Sequence, residues 1–100
     1  MSEKVKYISY EEALSVYAKM INASDGGLDG IRDEGGIRAT LEFIQNDMYY
    51  PSFADKLSSL VFKFCSGHYF NDGNKRIALT LGAYFLYKIS YIWQATIFMR

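Results

Sequence analysis

The nine residues His68-Tyr69-Phe70-Asn71-Asp72-Gly73-Asn74-Lys75-Arg76 contain the chain's single histidine, a carboxylate, a glycine and two adjacent cations. Each type brings a separate chemical tool. Imidazole ordinarily titrates near neutrality, which makes His68 a candidate general base. Asp72 offers the hard oxygen donors that Mg2+ takes alongside phosphate oxygens. Gly73, Asn74, Lys75 and Arg76 offer backbone N–H groups and positive charge to phosphates. A base, a metal carboxylate and a phosphate cradle are together the parts for phosphoryl or nucleotidyl transfer to a hydroxyl.

The element that must position these residues follows at once. The apolar run Ile77-Ala78-Leu79-Thr80-Leu81-Gly82-Ala83-Tyr84-Phe85-Leu86 reads as a helix opening at Gly73-Asn74, so Lys75 and Arg76 fall in its first turn. Cations are disfavoured there, because the free N–H groups and the helix dipole already make that end positive. Two of them in that turn point to a bound anion.

Other chemistries fit less well. A P-loop requires G-x-x-x-x-G-K-[ST], whereas Asn74 separates Gly73 from Lys75 and no Ser or Thr follows the lysine. A zinc site needs several Cys or His ligands, and the chain has one of each. A Cys65–His68 nucleophile pair is weakened because Cys65 continues an apolar face without a cationic helix end beside it. A structural reading, with His68 at a helix end, Asp72-Gly73 as a turn and Lys75-Arg76 solvated, accounts for each residue singly. It does not account for their conjunction. Phe70 reads as a core anchor for the loop, and Tyr84, Phe85 and Tyr87 read as packing.

Earlier in the chain, Ser9-Tyr10-Glu11-Glu12 reads as a capping box opening a helix that ends near Asn22. Its apolar positions Ala13, Leu14, Val16, Tyr17, Met20 and Ile21 follow a 3.6-residue period. Between Ser24 and Gly36, glycines at positions 26, 27, 30, 35 and 36 mark a loop or short hairpin. Ile37, Leu41, Ile44 and Met48 give a second amphipathic helix, broken at Tyr49-Tyr50-Pro51-Ser52. Ser52 caps a third helix with apolar positions Phe53, Leu57, Leu60, Val61, Phe64 and Cys65, and Gly67 reads as its C′ residue. The fourth helix, from about Asn74 to Lys88, is apolar on nearly every face, as expected of a buried centre. The tail from Ile89 to Arg100 has strand-like composition but no turn before it, and its conformation is left open.

Composition bounds the class. One hundred residues suit one domain with a modest core, and 50% hydrophobic with 17% aromatic content argues against disorder. Eleven basic and eleven acidic residues cancel, so a general nucleic-acid surface is not expected. The lone Cys65 forms no internal disulfide and fits a reducing cytoplasm. No secretory leader and no membrane span are read in the sequence.

The stretch from His68 to Arg76 resembles the H-x-F-x-D-[AG]-N-K-R loop of the death-on-curing (Doc) toxins, a branch of the Fic fold. Gly27-Leu28-Asp29-Gly30-Ile31-Arg32-Asp33-Glu34-Gly35 resembles that family's glycine-rich flap, and the likeness covers about the first ninety residues. It implies an all-α bundle around a central buried helix, with a short glycine-rich flap. By that resemblance His68 deprotonates the target hydroxyl, Asp72 holds Mg2+, and Gly73, Asn74, Lys75 and Arg76 hold the phosphates of ATP. Gly27, Leu28, Gly30 and Ile31 belong to the flap, which would grip an extended target peptide through backbone hydrogen bonds.

Adenylyl-transferring members read H-x-F-x-x-G-N-G-R-x-x-R; this chain has Lys75 at their second glycine and Leu79 at their second arginine. Both departures favour the Doc branch, which is similar to a protein kinase acting on a threonine of elongation factor Tu. The resemblance therefore implies a cytoplasmic toxin with an antitoxin peptide or protein as partner, and neither nucleic acid nor membrane. Fic-type adenylyl transfer and a non-catalytic binding module are the alternatives. Doc-like chains usually continue through another helix or two, so this single domain reads as C-terminally shortened, and exposed apolar surface would favour association, including homo-oligomers.

Overall fold

The computed structural model describes residues 5–23 and 30–98, with side chains to residue 90. Among the described residues four helices follow in order: α1 (Tyr10–Ala23), α2 (Glu34–Phe43), α3 (Phe53–Ser66) and α4 (Asn74–Phe98). The fold is all-α, as the sequence pattern and the resemblance both imply.

Local signals start each of the first three helices. At α1 the Ser9 hydroxyl accepts from the Glu12 N–H and the Glu12 carboxylate accepts from the Ser9 N–H, each at 3.0 Å. This is the expected capping box, and Glu11 and Glu12 also complement the helix dipole. At α2 the Asp33 side chain accepts from the Gly36 N–H. At α3 Ser52 and Asp55 form a second reciprocal box.

The buried faces follow helical spacing. Ala13, Tyr17 and Ile21 come from α1, Ile37 and Leu41 from α2, and Leu60 and Phe64 from α3. These meet Ile77, Ala78, Leu81 and Phe85 of α4, with Ile8, Ile44 and Phe70 completing the core. The most extensive packing is between α3 and α4. The amino end of α1 is fastened to α4 by polar groups. Lys88 donates to both Glu12 carboxylate oxygens at 3.0 and 2.7 Å and to the Tyr7 carbonyl at 3.2 Å, and the Tyr84 hydroxyl donates to Glu12 at 2.6 Å.

Several expectations are corrected. The second helix stops at Phe43, and Met48, expected on its apolar face, lies beyond it and is 92% exposed. The glycine-rich segment is shorter than expected, because Gly35 and Gly36 already belong to the first turn of α2. The fourth helix does not stop near Lys88 but continues to Phe98. No glycine or proline interrupts the tail, so its β-branched and aromatic content yields to continuation of an established helix. Nor is α4 covered on every face: Leu79, Leu86 and Tyr87 are exposed.

Lys56 reverses the usual rule for its type. It is 2% exposed, and its ammonium donates to the Ile44 carbonyl at 2.9 Å and to Asp47 at 2.8 Å. It thereby satisfies a carbonyl at the end of α2 that has no helical partner.

Candidate active site

The carboxyl end of α3 and the amino end of α4 bracket the loop from His68 to Gly73. Gly67 caps α3 in a right-handed conformation (φ −81°), its N–H bonded to the Lys63 carbonyl. The left-handed residue is His68 itself, with φ 53°. The reversal expected at Gly67 thus falls one residue later, on the chain's only histidine. His68 is exposed.

Phe70 anchors the loop, as its apolar character implies. It is fully buried and lies against the Tyr17 ring, centroids 3.9 Å apart. The Asn74 side chain spans the Phe70 backbone, its Nδ2 donating to the carbonyl at 3.0 Å and its Oδ1 accepting from the N–H at 3.1 Å. Both polar groups of a buried residue are therefore satisfied by one amide. The Asn74 side chain is thus committed to the loop.

Asp72 is exposed, and one of its oxygens accepts from the Gly73 N–H at 2.7 Å. The Tyr17 hydroxyl donates to the Asp72 carbonyl at 3.0 Å, which ties this turn to α1. Gly73 has φ 77°, a backbone conformation that favours glycine. Its carbonyl accepts the Ile77 N–H and begins α4. Lys75 and Arg76 then stand exposed in the first turn, which contains no acid.

The exit of the glycine-rich segment is joined to this loop. The Asn71 N–H donates to the Gly30 carbonyl at 3.0 Å, and the Arg32 and Asp33 N–H groups donate to the Tyr69 carbonyl at 2.8 and 3.0 Å. Ile31 and Phe70 form an isolated antiparallel bridge. Gly30 and Ile31 thus adjoin the loop, whereas Gly27 and Leu28 lie outside the described residues.

His68, Asp72, Gly73, Asn74, Lys75 and Arg76 are accordingly brought together on one loop and one helix start. Sequence reasoning missed the residues that shape it: Tyr17, read only as an apolar-face position, and Tyr69, whose ring packs beside Gly36 and Gly67. Paired glycines at both helix ends were the available signal for the second. Among the described residues no group of three or more His, Cys, Asp and Glu side chains could hold a metal. A lone exposed carboxylate instead suits Mg2+ that arrives with phosphate oxygens. No helix among the described residues is long and apolar enough to cross a membrane.

A buried aromatic anchor, a histidine at a helix end and two cations opening the next helix define a class, and sequence comparison agrees. The family model for the Fic/DOC family matches residues 7–86, and the chain belongs to that family. It is similar to "Protein kinase doc" of Escherichia phage P1, with 32% identity over 85 residues, covering 82% of this chain and 67% of the phage protein.

Proposed function

We propose that this protein is a Doc-like toxin that transfers the γ-phosphoryl group of ATP to a hydroxyl of a translation factor. A threonine of elongation factor Tu is the proposed acceptor, and an antitoxin peptide or protein in the same cytoplasm is the proposed silencing partner. The observation that carries this reading is the placing of His68 and Asp72 on the loop that delivers Lys75 and Arg76 to the start of α4. Kinship to a protein named as a kinase supports it.

In this mechanism His68 takes the proton of the target hydroxyl as its oxygen bonds to the γ-phosphorus. The bond from that phosphorus to the bridging oxygen breaks, and ADP leaves. Gly73, with no side chain at the mouth of α4, lets phosphates approach the Asn74 N–H and the Lys75 and Arg76 cations, which hold them and offset charge developing on them. Asp72 would hold Mg2+, which supplies charge neutralisation at the phosphate oxygens. The exit of the flap at Gly30 and Ile31, with Gly27 and Leu28 before it, would steady an extended target segment.

Incubation with lysate and ATP labelled at the α or γ phosphate tests the reading. Label from γ, not α, should appear on protein, and His68→Ala should reduce it by roughly 10²–10⁴-fold. Transfer of α label would establish adenylyl transfer instead. Absence of both, with antitoxin binding retained, would establish a binding module.

A further inference from the structure

His68 is held in the left-handed region, with φ 53°, which side chains other than glycine seldom enter, histidine less seldom than most. A residue in this region persists where its surroundings hold it there. The imidazole does not provide that restraint, since it is exposed and makes no hydrogen bond among the described residues. The restraint lies in the next residue. The Tyr69 ring fills the space left by two glycines: a Cβ on Gly36 would lie 2.5 Å, and on Gly67 2.4 Å, from its Cε1. Its ring meets Phe64 edge-on at 5.2 Å, and its hydroxyl is 2.8 Å from the Thr40 Oγ1. Its carbonyl accepts the N–H groups of both Arg32 and Asp33.

One residue therefore touches the end of α3, two turns of α2 and the exit of the glycine-rich segment. We propose that Tyr69 is a positioning residue, clamping the left-handed turn and thereby fixing where His68 is presented. A core filler would need the ring alone. Here the end of α3 and the first turn of α2 enclose the ring, the next turn of α2 meets the hydroxyl and the flap exit bonds the carbonyl, and all of these hold the residue that follows His68. The proposal rests on the reading of His68 as the base.

Because His68 is the only histidine, its resonances can be followed without ambiguity in the full chain. Tyr69→Leu should retain the helical circular dichroism yet change the three-bond HN–Hα coupling of His68, which reports its backbone φ and which loss of a neighbouring ring current does not move. It should lower kcat for phosphoryl transfer by about a hundredfold, the order expected from misplacing a reacting group by an ångström, with KM for ATP little changed. In a His68→Ala background the same substitution should cost nothing further, because both changes act through one group. An unchanged His68 coupling in folded Tyr69→Leu, or an equal loss in the His68→Ala background, would overturn the proposal. Should Tyr69→Leu not fold, Tyr69→Phe, which deletes only the bond to Thr40, carries the same coupling criterion. A wild-type protein that transfers no phosphoryl group would defeat the kinase reading, whereas the His68 backbone coupling would still decide the clamp.

Discussion

Tyr17 stacks on Phe70 with 17° between the ring planes, and its hydroxyl reaches past that ring to the Asp72 carbonyl. A single side chain of α1 thus secures the loop at its buried anchor and at the backbone of the residue that bears its proposed metal carboxylate. Tyr17→Phe keeps the stack and loses the hydroxyl. The expected cost is about 1 kcal/mol in denaturant unfolding, with weaker binding of Mg2+ and ATP in calorimetric titration. Unchanged values for both would show that the Asp72 turn holds without this bond.

Asn74 separates scaffold from ligand. Its amide serves both backbone groups of Phe70, which is buried. Asn74→Ala should therefore destabilise the protein by about 1–3 kcal/mol, a fall in Tm of at least roughly 4 °C for a domain of this size. If nucleotide affinity collapsed while Tm stayed constant, the side chain would be a phosphate ligand and its role in the loop incidental.

What the sequence made legible is what lies within about four residues. The Ser9/Glu12 box, the Ser52 cap and the apolar spacing of α1 and α3 are local, because each bond closes within a turn. The long-range pairs were not legible. Tyr17 meets Asp72 across 55 positions, Tyr69 meets Thr40 across 29 and Lys88 meets Glu12 across 76. Helical periodicity states which face is inward but not which residue it will face. Lys56 was hidden for the same reason: only the fold brings its ammonium to the Ile44 carbonyl. The tail, whose conformation the sequence left open, extends α4, since β-propensity is a weak prior once a helix is already propagating.

The Glu12 clamp predicts a specific response to acid. Burial opposes ionisation of Glu12, but hydrogen bonds from Lys88, the Ser9 N–H and Tyr84, with the charge of Lys88, hold its pKa down at about 2 against an ordinary 4.5. A carboxyl lowered on folding contributes fully above about pH 4.5, and that contribution is lost as pH falls toward 2. Glu12→Gln should therefore be less stable than wild type at neutral pH, with the two stability curves converging over that window. Parallel curves from pH 6 to pH 2 would show that the ion pair contributes nothing.

Lys75 is where fold and function should pull in opposite directions. It stands in the first turn of α4 beside Arg76, with no acid in that turn and no ion pair to either cation among the described residues. A cation at the positive end of a helix costs about 0.3–1 kcal/mol. Lys75→Gln should consequently leave the ligand-free protein as stable as wild type or slightly more so. The same change removes positive charge from the proposed phosphate site, so ATP should bind more weakly and transfer of γ label should fall. Lys75→Gly adds a second discrimination, because it recreates the glycine of the adenylyl-transferring pattern. It should lose γ transfer without gaining α transfer, since Leu79, 68% exposed one turn along the helix, supplies no charge where that pattern has its second arginine. Paired thermal melts and labelling reactions on these two variants decide the matter. A Lys75→Gln protein that melts lower and binds ATP as tightly as wild type would make this lysine part of the scaffold.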